Sequence, residues 1–344
     1  MTEHDETEQM RADLHLDDFS VKQQKSGTIV PKYYGEALLA AARADSSILA
    51  ISADLTAPTE TDLIRDQLPD QFMMAGIAEA NMIGVAAGLA RTGFTPFAHS
   101  FSVFLSRRSF DQIAMQVAYP KTNVKLVGFM PGIDSMLGVS HQAIDDLALM
   151  RALPNMTVLE PGSPADYADA VKCALAHQGP VYLRLWRATE SAPAAFAGAP
   201  LQRGKIRHLF PQNDAQNYAG NDAAIFASGL MVDRALAAAQ SLAADNIDTA
   251  VIDCASIKPL DCAGVLAVIN SVKAVVTAEN HTVIGGLGSA IAEVMADNGV
   301  ARPFHRIGVQ DCFAEGGSRE FLFEKHGLTA ANIVAKVKQG LGHG

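Results

Sequence analysis

Short apolar runs of strand length alternate with stretches of helical period along most of this chain, and that rhythm leaves few folds open to it. Tyr34 to Arg43 reads as a helix, Ser47 to Ser52 as a strand and Asn81 to Arg91 as a helix. A longer helix is predicted near Ser102 to Ala118, ahead of the strand Val124 to Phe129. Asp145 to Leu153 reads as helical, Met156 to Glu160 as extended, Pro164 to His177 as helical and Val181 to Trp186 as extended. Composition then shifts to Ala, Pro, Gly, Gln and Asn, which predicts a linker over residues 189–219. Beyond it the pattern resumes: strand Ala223 to Ala227, helix Met231 to Asp245, strand Thr249 to Asp253, helix Asp261 to Ser271, strand Ala274 to Ala278, helix Ser289 to Asn298 and a final helix from Thr329. Such alternation predicts an α/β protein with two three-layer α/β/α domains and mainly parallel sheets, over residues 28–188 and 220–344. Residues 1–27 are polar and acid-rich without a sustained period, which predicts a flexible N-terminal arm.

Composition narrows the function classes. Roughly half of the 344 residues are apolar, yet no apolar run reaches the ~20 residues that a membrane-spanning helix requires. A soluble protein with no membrane partner is expected. The net charge of −10 comes with no basic stripe, which argues against nucleic acid as a partner. Cys173, Cys254, Cys262 and Cys312 are widely spaced and form no CxxC pair, the usage of reduced thiols. The first residues lack the positive start and apolar core of a secretion signal, so a cytoplasmic location is the default expectation.

Several common sites fail on inspection. Gly285-Gly286-Leu287-Gly288-Ser289 opens a helix as a dinucleotide loop does, but Ile291 stands at the third glycine position and no phosphate-loop lysine is present. Gly138-Val139-Ser140-His141 has the start of a nucleophile elbow, but Gln142 replaces its closing glycine. No HExxH or clustered His and Cys set appears, so no metal site is expected from this chain alone. One acid stands out instead. Glu79 follows Gly76-Ile77-Ala78 and heads an apolar helix notched by Gly84 and Gly88. Such a carboxyl is expected to face a dry pocket that raises its proton affinity and lets it share a proton with a bound heterocycle.

Further segments follow in a fixed order around Glu79. Ser52-Ala53-Asp54-Leu55 ends the first strand; then come Gly76 to Glu79, Pro96 to Phe104 with His99, Phe101 and Phe104, Gly138 to Gln142 with His141, Asp145, Arg151, and Pro154-Asn155-Met156. With these segments the chain resembles the transketolase family of thiamine diphosphate enzymes, specifically its carboxy-terminal half, over about residues 28 to 340. The resemblance implies a pyrimidine-binding domain over 28–188 and a transketolase C-terminal domain over 220–344. It implies that Glu79 hydrogen-bonds N1′ of the cofactor's aminopyrimidine, promoting the imino form whose 4′ nitrogen removes the thiazolium C2 proton. Phe101 and Phe104 match positions whose rings enclose that pyrimidine. His141 matches a histidine that reaches donor-substrate oxygens, where imidazole exchanges protons with hydroxyls. Arg187 aligns with an arginine that grips a sugar phosphate, with Arg184 as the competing candidate. Ser52 and Asp54 lie at a strand's carboxyl end, the usual ligand side of such sheets, although Asp54 equally suits a helix cap.

Departures from the family pattern carry information too. Related chains carry an aspartate where Leu137 stands and a histidine near Phe129, while Pro31-Lys32 replaces an arginine ahead of the first helix and His99 takes the place of a small hydroxyl residue. His99 is therefore a candidate substrate contact, and an altered donor or acceptor is expected, since a polar substrate group facing Leu137 loses its partner. The family's diphosphate and Mg2+ motif, Gly-Asp-Gly followed by Asn, is absent from this chain. The resemblance then implies a separate N-terminal transketolase subunit that holds the diphosphate and Mg2+, an α2β2 heterotetramer, and transfer of a two-carbon ketol unit from a ketose, a sugar or sugar phosphate, to an aldehyde. Two alternatives stand beside it: an E1 β subunit of a 2-oxo acid dehydrogenase, and a non-catalytic scaffold paralogue.

Overall fold

Parallel strands covered by helices on both faces must be buried throughout, and the central strands of this chain are. The computed structural model describes residues 31–188, 200–210 and 221–342; the expected arm over 1–27 and most of the expected linker lie outside them. The first unit runs α1 (Tyr33–Ala44), β1 (Ile48–Ser52), α2 (Asp62–Gln67), β2 (Phe72–Met74), α3 (Glu79–Arg91), β3 (Thr95–Phe101), α4 (Ser102–Arg108), β4 (Lys125–Phe129), α5 (Asp146–Ala152), β5 (Thr157–Leu159), α6 (Tyr167–Ala176) and β6 (Val181–Leu185). The second runs β7 (Arg207–Phe210), β8 (Ala223–Ala227), α7 (Met231–Ala244), β9 (Thr249–Asp253), β10 (Ser256–Lys258), α8 (Cys262–Ser271), β11 (Ala274–Thr282), α9 (Leu287–Asp297), β12 (Phe304–Val309), α10 (Arg319–Lys325) and α11 (Ala330–Gly340).

The first sheet has the order β10-β5-β6-β4-β3-β1-β2 and the second β12-β11-β8-β9-β7. All pairings are parallel except β10 with β5 and β7 with β9. Strand periodicity assigns the faces. Phe97, Val127 and Leu183 meet α1 and α6 through Tyr34, Leu38, Tyr167 and Ala170. Ala98, Leu126 and Tyr182 point the other way, to α3 and α5. That second layer is continuous with Phe226, Ile252 and Ile291 of the second unit, so the two sheets share one core between them.

The structure departs from the sequence expectations at several places, among them the unexpected strands β2, β3 and β12. The predicted helix Ser102 to Ala118 breaks at Ser109 (φ −121°, ψ 21°), and residues 113–118 form a wider turn. Arg207–Phe210, inside the expected linker, is an edge strand of the second sheet. β10, far along in sequence, leaves its own unit and extends the first sheet beside β5. A buried polar seam fixes the same junction. Arg184 Nε and Nη2 donate to Asp146 at 2.8 and 2.9 Å, Nη1 pairs with Glu160, and Nη2 reaches the Asn280 carbonyl of β11 at 3.0 Å. Ser228 Oγ closes the seam by donating to Glu160 at 2.6 Å.

The glycine loop ahead of α9 is filled from within. Leu287 N and Gly288 N donate to the Glu279 carboxylate at 2.6 and 2.9 Å, and a Cβ on Gly286 would lie 1.9 Å from Glu279 Oε2. An internal acid thus takes the helix N-terminus where a phosphate would sit in a nucleotide site. Burial pushes Glu279 up to about 7 against those two N–H bonds.

Candidate functional site

Glu79 is the first residue of α3, and it enters the helix after Gly76, whose φ of +72° lets the chain turn sharply behind β2. Its side chain is buried, with 4% exposure. The surroundings differ from the dry apolar pocket expected of the sequence. Arg108 Nη1 donates to Glu79 Oε1 at 3.0 Å, and Ser100 Oγ lies at 3.5 Å.

Phe101 closes β3 and Phe104 lies in the first turn of α4, so the two rings converge across a strand-to-helix turn rather than along one helix face. Their centroids are 5.9 Å apart. The His141 ring stands edge-on to both, at 6.2 Å from Phe101 and 5.0 Å from Phe104. Arg108 completes the group with its guanidinium carbon 3.9 Å from the Phe104 centroid. Glu79, Phe101, Phe104 and His141, read separately in the sequence, are therefore brought to one place. All sit beyond the carboxyl ends of parallel strands, the ligand side of such sheets.

His141 is held by a loop that the second unit braces. Gly138 takes φ +75° and approaches Gly316, Gly317 N donates to the Met136 carbonyl at 3.1 Å, and Gln142 Nε2 donates to the Glu315 carbonyl at 3.0 Å. Arg319 pairs with Asp134 at the start of the same loop. Ser140 Oγ lies 2.9 Å from His141 Nδ1, and among the described residues Nε2 has no hydrogen-bond partner. Partial burial, and then the charge of Arg108, lower the His141 pKa from 6.5, so the ring is neutral near pH 7 and able both to accept and to donate.

Other sequence candidates fall outside this group. His99 is fully buried beneath α1: Nδ1 faces the Ile51 carbonyl at 3.0 Å and therefore carries the proton, while Nε2 accepts from the Tyr34 hydroxyl at 2.7 Å. Both nitrogens are used and none of the ring reaches solvent, so the expected substrate contact His99 lies in the core, outside the Glu79 group. Burial lowers its pKa to about 4. Phe129 is likewise core, edge-on to Tyr34 at 5.6 Å. Ser52 is buried with its Oγ accepting from Leu55 N at 3.1 Å, and Asp54 is exposed at φ +60°; both border the carboxyl end of β1. Arg184 is the structural hub described above. Arg187 is half-buried and near Glu60, whose pKa burial raises to about 7 against the Gly35 and Tyr34 N–H groups and the charges of Arg187 and Lys32. Among the described residues no contact joins Arg187 to the Glu79 group.

Arg108 was not singled out in the sequence. Its signal is the four-residue spacing from Phe104, which places both on one helix face. Among the described residues no cluster of three or more His, Cys, Asp or Glu side chains forms a metal site, and no helix is long and apolar enough to cross a membrane.

Residues 29–189 match the family model of the transketolase pyrimidine binding domain, and residues 215–333 match that of the transketolase C-terminal domain. The chain is a member of the transketolase family. A relative described as a 6-deoxy-6-sulfo-D-fructose transketolase subunit, from Clostridium sp. (strain MSTE9), is 44% identical over 309 residues, covering 88% of this chain and 91% of that protein. The 1-deoxy-D-xylulose-5-phosphate synthase of Chlorobium luteolum is 34% identical over 313 residues, but the match covers 90% of this chain and only 48% of the synthase. A solved structure described as a split gene transketolase, inactive beta4 tetramer, superposes with a TM-score of 0.79 at 41% identity, covering 90% of this chain and 97% of that one. This transketolase-family chain thus corresponds to the carboxy-terminal half of longer family members, and the family reading is favoured over the dehydrogenase and scaffold alternatives.

Proposed function

We propose that this chain is the carboxy-terminal subunit of a two-chain, thiamine diphosphate-dependent transketolase that moves a two-carbon ketol unit from a ketose to an aldehyde. The observation that carries the reading is the convergence of Glu79, Phe101, Phe104 and His141, linked through Arg108, on one place. A buried carboxylate beside two accessible aromatic rings fits an aminopyrimidine, which needs one hydrogen-bonding edge and two apolar faces. When bound, thiamine diphosphate supplies a nucleophilic carbon and an electron sink. Glu79 would hold a proton at Oε1 against the ring, Phe101 and Phe104 would fix the ring plane and exclude water, and His141 Nε2 would exchange protons with substrate hydroxyls. Asp54 and Arg187 are further proposed substrate contacts, together with Ser52 at the carboxyl end of β1.

Support for a second chain comes from the relative described as a subunit and the structure described as a split gene enzyme. The partner would hold the diphosphate and Mg2+, in a cytoplasmic heterotetramer with two copies of each chain. The functional division of this chain would fall at 188 and 220. Exposed Leu137 and Val139 beside His141 favour a substrate other than an ordinary sugar phosphate. The Clostridium relative, described by a 6-deoxy-6-sulfo sugar, agrees with that. The test is a substrate panel on the reconstituted complex. Transfer from a ketose such as 6-deoxy-6-sulfo-D-fructose to an aldose is expected to exceed both the xylulose 5-phosphate and ribose 5-phosphate pair and any acyl transfer to a lipoyl domain. Preference for either of those would overturn the respective part of the reading.

A further inference from the structure

Arg108 makes two contacts that belong to a different kind of group. Its Nη1 donates to Glu79 Oε1 at 3.0 Å, and its flat guanidinium lies over Phe104, 3.9 Å from the centroid. One hydrogen bond to the carboxylate and one face against the aromatic ring are also what a flat nitrogen heterocycle would use at this spot.

Its hold on the pocket is weak. Arg108 is 48% exposed, whereas its neighbour Arg107 is fastened by two 3.0 Å bonds from Nε to Asp145. The Arg108 end of the ion pair is half-exposed although Glu79 is buried, and a half-exposed cation–π contact is modest, so the guanidinium can leave for water once another donor reaches Glu79. Among the described residues the partners of Arg108 are Glu79 and Phe104, both within the site, so it does not brace the fold from elsewhere.

We propose that Arg108 is a resident stand-in for the aminopyrimidine, closing the half-site in the empty chain and swinging out to solvent when the cofactor enters. This rests on the reading of the Glu79 group as a cofactor half-site. It adds a regulatory property, because apparent affinity falls by the fraction of time the pocket is closed. Glu79 meanwhile keeps a counter-charge for as long as the ring is absent, so the empty chain does not carry a buried, unpaired carboxylate.

Thiamine diphosphate with Mg2+, titrated calorimetrically into the full chain and into its complex with the amino-terminal subunit, tests this on wild type, Arg108→Met and Phe104→Ala. Arg108→Met keeps an apolar stem of similar length and removes both contacts. It is expected to bind the cofactor roughly tenfold more tightly, the combined effect of losing two weak competing contacts. Equal or weaker binding by Arg108→Met, or binding by neither protein, would overturn the proposal. Phe104→Ala separates the two levels. If it binds as wild type does, the half-site reading itself fails; if it binds weakly while Arg108→Met gains nothing, only the stand-in fails.

Discussion

Glu79 and His99 show how the same strand-and-helix frame gives neighbouring polar residues opposite fates. In β3, alternation puts Phe97, His99 and Phe101 on one face, but His99 lies one pleat, roughly 7 Å, deeper than Phe101. Depth along a strand is not visible in sequence, so a histidine beneath the site reads like one inside it. Glu79 was legible because an acid at the head of an apolar helix has few structural reasons to be there; its arginine partner was not, because Arg107 and Arg108 look alike until the helix phase is known. Replacing Glu79 by Gln is expected to leave assembly intact and to slow turnover of the complex by about 100-fold or more, the usual scale for a lost proton-handling group. His99 makes a prediction about stability instead. Its folded pKa of about 4 lies below the usual 6.5, so the unfolded chain binds its proton first as pH falls. The contribution is fully present above pH 6.5 and is lost progressively toward about pH 4. Urea unfolding at a series of pH values should show this slope in wild type and a shallower one in His99→Gln; parallel curves would refute it.

At the scale of elements, long buried runs such as Ala223–Ala227 and Thr249–Asp253 were readable to the residue, whereas β2, β3, β7, β10 and β12 were not read as strands. β7 and β10 are short edge pieces whose partners lie far along the chain, so no local period announces them, while the polar His99 and Ser100 interrupt the apolar run of the central strand β3. The break at Ser109 was hidden for a similar reason: an apolar pattern continues through residues 113–118 although the backbone does not stay α-helical. The glycine loop before α9 lacks the third glycine of a nucleotide loop, and in the structure Glu279 accepts from the N–H groups at its helix start. Gly286→Ala would press a methyl group onto that carboxylate. A loss of about 1 to 3 kcal/mol in denaturant unfolding is expected for such overpacking; unchanged stability would show that the loop yields.

Across the whole molecule, two sheets share a core and a polar seam, and the second unit's loop at 315–319 braces the loop that carries His141. The two-unit plan was legible from the alternation of elements. The seam was not, because a buried arginine such as Arg184 reads like any strand-end cation until Asp146 and Glu160 close on it. Arg184→Met would leave two carboxylates buried without their cation, and a loss of about 3 to 5 kcal/mol is expected. Unfolding in urea measures it, and a change below about 1 kcal/mol, the scale of a surface pair, would contradict the seam's role.

The proposed function divides one cofactor site between this chain and another. The most direct test is cofactor-dependent ketol transfer during titration of this chain into its amino-terminal partner. No transfer is expected from either chain alone, and a rise that saturates at equimolar chains is expected on mixing. Full transfer by this chain alone, supplied only with thiamine diphosphate, Mg2+ and substrates, would contradict it.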